Sequence, residues 1–222
     1  MTKSDSTSLA GRLLSLGGAL LVVASNASGG TIHSPVTVLQ NTAGDFTVGA
    51  EVQNAFNGSG LTPGFTSGVT DFATYIGGNP LHTTLFSGFE WFSQQNGFVD
   101  LDMGSVLNIT RLAIWNEEGL NGLGGLTVLA ATDATFTTLI NIGSFAPAHN
   151  PEGADYPAEL LDVTDTSTRY LRLEVQASPG LNVFGLGEIA FEADAQATVP
   201  EPSILVLLGL GFAGLGWSRR GK

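Results

Sequence analysis

No cysteine occurs in the 222 residues, so disulfides cannot stabilise this chain and a buried core, a bound metal or both must do so. Basic residues are nearly as scarce, with eight Lys and Arg against twenty Asp and Glu. Five of the eight sit near the ends, as Lys3, Arg12, Arg219, Arg220 and Lys222. Residues 28–199 therefore keep only Arg111, Arg169 and Arg172 against eighteen acids, a net charge of −15. Such a surface repels nucleic acid and anionic headgroups and suits divalent cations, neutral sugars or basic proteins. Enzyme signatures are missing too. Neither His82 nor His149 stands in a His-x-x-x-His spacing, and no Gly-x-Ser-x-Gly elbow joins a strand to a helix. The glycine-rich stretch 119–125 has no Lys to hold phosphate. No internal repeat or long linker divides the middle of the chain.

Two apolar runs lie at the ends. Lys3 and Arg12 precede Leu13 to Ala24, with small residues at Val22-Val23-Ala24 and Ser25-Asn26-Ala27, the pattern of a secretory signal over residues 1–27. At the other end Val199-Pro200-Glu201-Pro202 leads into an apolar stretch from Ile204 to Trp217, followed by Ser218-Arg219-Arg220-Gly221-Lys222. As a helix those fourteen residues rise only about 21 Å, short of the roughly 30 Å hydrocarbon core, so a transient insertion is expected rather than a permanent anchor. The basic end favours the cytoplasmic side and places the preceding chain outside. Pro200, Glu201 and Pro202 with Arg219 and Arg220 resemble the PEP-CTERM sorting signal of Gram-negative bacteria. That resemblance implies an exosortase-type membrane enzyme as partner, and an exported protein bound for the cell surface or extracellular matrix.

Between the ends, residues 28–198 read as one all-β domain. Phe98 to Met103 and Asn108 to Trp115 alternate apolar and polar residues, as strands do. Further strands are expected at Leu123 to Ala131, Thr137 to Ile142, Arg169 to Gln176 and Gly187 to Glu192, with turns at 116–122 and 146–156. Short strands and many turns favour a sandwich.

Four pieces, Gly97-Phe98-Val99-Asp100-Leu101-Asp102-Met103-Gly104, Asn108-Ile109-Thr110-Arg111-Leu112, Thr168-Arg169-Tyr170-Leu171-Arg172-Leu173-Glu174-Val175 and Gly187-Glu188-Ile189-Ala190-Phe191, resemble the discoidin-like, galactose-binding-like family. The early segment Asn54-Ala55-Phe56-Asn57-Gly58-Ser59 falls where that family has its first turn. The resemblance implies a single jelly-roll β-sandwich with ligand-binding loops at one end, often for sugars, and a structural calcium site. It would place Glu188 beside the turn of Asn54, Asn57 and Ser59 as calcium ligands, although the family more commonly has Asp where this chain has Asn57. It also makes Asp102 part of a turn closed by Gly104, and leads us to expect Arg169 and Arg172 in internal ion pairs.

Candidate ligand contacts come from the loops. Tyr75 and His82, beside Gly77-Gly78-Asn79-Pro80, are expected on an exposed loop, while Trp91 and Phe92 are expected in the core. Glu117 and Glu118 are expected in solvent, on a loop able to contribute to a site. Together these readings lead us to expect a non-catalytic module bound to exopolysaccharide or biofilm matrix. One alternative is a structural surface protein with no ligand. Another is a polysaccharide hydrolase, which requires Glu117 or Glu118 to face a second acid across a groove at about 5–10 Å.

Overall fold

A computed structural model describes residues 29–85 and 88–195. The expected signal segment and sorting tail lie outside the described residues. Eleven strands carry the fold: β1 (Thr31–His33), β2 (Thr37–Asn41), β3 (Leu61–Thr62), β4 (Leu81–His82), β5 (Trp91–Ser93), β6 (Gly97–Asn116), β7 (Leu123–Ala131), β8 (Leu139–Phe145), β9 (Tyr156–Pro157), β10 (Glu159–Ala177) and β11 (Phe184–Ala195). One α-helix among the described residues, α1 (Phe72–Gly77), starts where the Asp71 side chain accepts a bond from the Thr74 N–H at 2.8 Å.

Two strands make the sandwich. β6 and β10 are 20 and 19 residues long, and each bends so that its halves serve different layers. In the first layer, residues 97–102 of β6 pair with residues 170–175 of β10 on one side and with β2 on the other; β7 and β8 follow beyond β10. In the second, residues 107–114 of β6 pair with residues 159–168 of β10, and β11 lies on the other side carrying β1 and β5. All these pairings are antiparallel. The bend coincides with register shifts in β10 between Asp162 and Thr166 and between Thr168 and Tyr170, since a bulge sharpens twist and turns a strand aside. In β6 it falls at Gly104, whose φ of 81° a side chain would strain, and whose N–H donates to Asp102 Oδ1 at 2.7 Å. The expected role of Asp102 in that turn is thus seen.

Strand alternation sends one set of side chains from each layer inward. Val99, Leu101, Leu171, Leu173, Leu126 and Val128 from the first layer meet Leu112, Ile114, Ile189, Phe191 and Leu161 from the second in one continuous core. Trp91 is fully buried there, edge-on to Phe184 with ring centroids 5.1 Å apart, and Phe92 is half-buried. The alternate residues Ala113, Trp115 and Ala190 face out of the second layer, where they are covered rather than solvated. A three-stranded sheet, β3-β4-β9, and α1 lay Leu61, Phe72, Tyr75 and Tyr156 over them as a second small core. This cap decides the candidate site.

Candidate functional site at the loop end of the sandwich

Because β6 bends, its two ends return to the same end of the molecule. The segments 93–97, 117–122, 146–155 and 178–183 gather there. Asn116, at the end of β6 and 1 % exposed, ties them together. Its amide donates to the carbonyls of Leu123 and Ala148, both at 3.1 Å, and its Oδ1 accepts from the Leu123 N–H at 2.7 Å. Asn150 donates to the Asn116 carbonyl at 2.8 Å, and Ser178 reaches both the Gly122 carbonyl and His149. Loops held by buried side-chain amides are well suited to present surface groups in fixed positions.

Beneath them lies a buried polar centre that the sequence did not announce. Glu90 is fully buried, and its Oε1 accepts from the Tyr156 hydroxyl at 2.6 Å. Glu117, 5 % exposed, lies within hydrogen-bonding reach of Glu90. Burial, reinforced by Glu90, pushes the Glu117 carboxyl up to about 9, so it stays protonated at neutral pH. Burial and the same carboxylates also push the Tyr156 phenol upward.

The expectation of a solvated Glu117 is therefore corrected: the cap closes over the residue that follows β6. Likewise Tyr75 and His82 are buried, not exposed as expected. Tyr75 packs edge-on to Phe65 and Trp115, donates its hydroxyl to the Pro63 carbonyl at 2.7 Å, and is pushed up to about 12 by burial and by Glu188. His82 is fully enclosed, with Nδ1 2.8 Å from the Thr83 carbonyl and Nε2 3.0 Å from that of Ser59. Burial pulls its pKa down, while those carbonyls and Glu90, 3.9 Å from Nδ1, pull it the other way. Neither ring can offer a face to a sugar.

The turn expected to hold calcium forms in part. Glu188, wholly buried, accepts from the Gly58 N–H through Oε2 at 2.9 Å, so the last strand and the first turn do meet. Glu188 Oε1 and Ser59 Oγ are buried without a hydrogen-bond partner, and the missing solvation pushes the Glu188 carboxyl well above its ordinary range. Two bare oxygens of this kind suit a hard cation. Asn57 is already engaged, its Oδ1 accepting from the Ser59 N–H at 2.7 Å. Asn54 does not fit: its amide nitrogen clamps the carbonyls of Gly49 and Glu90, both at 3.0 Å, and so ties the turn to the polar centre instead. Among the described residues no three His, Asp or Glu side chains converge as a metal cluster.

On the outer face of the first layer, Asp100 and Asp102 do share a side, and each is taken by an arginine. Arg172 grips Asp100 through two bonds of 2.6 and 2.8 Å, and Arg169 grips Asp102 at 2.7 and 2.8 Å. The bond from Arg169 holds the Asp102 carboxyl below its usual range. The Arg172 guanidinium also lies 3.7 Å from the centroid of the Phe98 ring. Next to it an open cleft of about 340 Å³ is lined by Asn96, Gly97, Phe98, Glu174, Val175 and Gln176. A second hollow of about 400 Å³ opens among Gln94, Asn182 and Val183. None of these surface residues was expected as a ligand contact. Gly97, Phe98, Glu174 and Val175 entered the sequence reading only as parts of strands.

The architecture is an antiparallel all-β sandwich, and the chain also carries a protein-sorting motif. The PEP-CTERM protein-sorting motif matches residues 198–220, in agreement with the resemblance to that sorting signal. Among solved structures, the chain is similar to the CBM32 of AlyQ in complex with 4,5-unsaturated mannuronic acid, at 15 % identity over 72 % of this chain and 97 % of that one, TM-score 0.49. It is similar also to CBM32-1 from a family 31 glycoside hydrolase of Clostridium perfringens, at 15 % identity over 72 % and 96 %, TM-score 0.47. A third similar structure is the chitosan-binding module 1 of a chitosanase/glucanase from Paenibacillus sp. IK-5, at 14 % identity over 67 % and 89 %, TM-score 0.41. A comparison with curated protein sequences gave no match.

Proposed function

We propose that this chain is an exported, non-catalytic glycan-binding module, delivered to the surface of a Gram-negative cell by exosortase-type processing of its tail and bound there to exopolysaccharide. The observation that carries the binding reading is the cleft beside Phe98. An aromatic ring, the amides of Asn96 and Gln176 and the Glu174 carboxylate border one open groove at the rigid loop end. Sugar hydroxyls are commonly recognised by amides and carboxylates placed at the border of such a groove. Calcium at Ser59 and Glu188 would supply the charge that the bare Glu188 oxygen lacks and so hold the first turn against the last strand.

The hydrolase alternative is disfavoured by geometry. A retaining pair needs carboxyls about 5 Å apart across an open groove, whereas Glu90 and Glu117 are at hydrogen-bonding reach and buried. The test is binding of the exported chain to exopolysaccharide from the producing strain, with calcium and with chelator, alongside Glu174→Ala and Gln176→Ala. Saturable binding weakened at least tenfold in both variants is expected. A chain that binds no glycan in either condition would leave it a structural surface protein.

A further inference from the structure

We propose that the cleft beside Phe98 and the hollow among Gln94, Asn182 and Val183 are two subsites of one groove, which takes an internal stretch of a neutral linear polysaccharide. This rests on the glycan-binding function of the cleft and extends it to a second subsite and a class of ligand.

Two turns bracket both hollows. The first runs from Ser93 to Gly97 and joins β5 to β6. Gln94 lines the hollow and Asn96 the cleft, and residues two apart have Cα atoms no more than about 7 Å from each other. The second turn is closed by the Leu181 N–H, which donates to the Ser178 carbonyl at 2.9 Å. Gln176 just before it lines the cleft, and Asn182 just after it lines the hollow. The turns are tied on both flanks: the Ala177 N–H donates to Asn96 Oδ1 at 2.8 Å, and Phe184 pairs with Ser93 in the ladder of β5 and β11. The hollows thus stand side by side at one end of the sandwich.

Side chains fix the first turn. Ser93 Oγ, fully buried, donates to the Ala43 carbonyl at 2.6 Å and accepts from the Gln95 N–H at 3.2 Å. Gln95 Nε2 donates to the Thr42 carbonyl at 2.9 Å, which commits that amide to the chain. By contrast Gln94, Asn182, Glu174 and Gln176 are exposed, and their side chains make no hydrogen bond among the described residues. Unspent polar groups on a turn already held in place lose little freedom when they bind hydroxyls.

Charge decides the class of sugar. The described residues include no lysine, and Arg111, Arg169 and Arg172 are each paired with carboxylates. None of these cations is left to receive a uronate, sulfate or phosphate, and Glu174 at the cleft repels one.

The test is calorimetric titration of the full chain with neutral di- and hexasaccharides, size-fractionated from a partial hydrolysate of the producing strain's exopolysaccharide, and with an alginate hexasaccharide as the acidic probe. The neutral hexasaccharide is expected to bind about tenfold tighter than the disaccharide, the gain of one further subsite, and alginate more weakly than either. Gln94→Ala and Asn182→Ala should lose most of that gain and leave disaccharide affinity unchanged, whereas Glu174→Ala weakens both ligands. All three positions are exposed, and an unchanged melting temperature shows that each variant folds. Equal affinity for the two neutral lengths, unchanged hexasaccharide binding in both the Gln94 and Asn182 variants, or tighter binding of alginate would overturn the proposal and leave a glycan-binding cleft of one subsite. A wild type that binds none of the three probes would end the glycan-binding function itself, and this extension with it.

Discussion

The Tyr156 hydroxyl donates to Glu90 Oε1 at 2.6 Å across 66 residues of sequence, joining the small capping sheet to the edge of the sandwich inside a fully enclosed space. Tyr156→Phe keeps the ring and removes only that bond, leaving a second oxygen of a buried carboxyl bare. A loss of about 1–3 kcal/mol is expected in urea denaturation. A change below a few tenths would mean that Glu90 finds another donor.

The two arginine pairs on the outer face differ in burial, and so in worth. Asp100 is 2 % exposed and Arg172 also covers Phe98, so Arg172→Ala strands a buried carboxylate and should cost about 3–5 kcal/mol. Arg169 is exposed, and Arg169→Ala should cost far less, because solvent screens the pair. Equal losses in the two variants would contradict this account.

Asn116 satisfies three backbone groups with one buried amide. Asn116→Ala should destabilise by several kcal/mol and increase hydrogen exchange selectively in residues 117–122 and 146–155. Unchanged exchange in those loops would show that they are held by something other than this side chain.

Stability in chelator should depend on pH through Glu117. Its folded pKa of about 9 lies above the ordinary carboxylate value, so the native state keeps a proton that the unfolded chain releases. The resulting stabilisation is complete below the ordinary value and is lost as pH rises through about 9. Melting temperature should fall over that window in wild type. Glu117→Gln should flatten the profile, and a wild-type curve already flat would refute the assignment.

Much of the sandwich was legible because its strands alternate. Leu123–Ala131 is β7 with the expected bounds, and the alternating pieces around Asp100 and Trp115 are the two halves of β6. Their union through Gly104 was not legible, nor was the first half of β10, where exposed threonines and acids hide the period. The short strands β1 to β5 and β9 were missed as well, because two to five residues carry too little pattern. The candidate site was read less well. Tyr75, His82 and Glu117 looked like loop residues from their glycine-rich and acidic neighbours, and all three are buried: Tyr75 and His82 lie within the cap, and the capping sheet packs on strands distant in sequence.

Local patterns were enough to determine the sorting motif at residues 198–220, the all-β class, the acidic middle and the Asp102 turn, since each depends on residues adjacent in the chain. Tertiary structure alone decided which carboxylates meet a cation and which stand bare. Arg172 finds Asp100 across 72 residues, whereas Glu90 and Glu117 are buried with none of the described arginines paired to them. Burial and pairing are properties of the packed layers, and a period of two along a strand does not record what is folded over it.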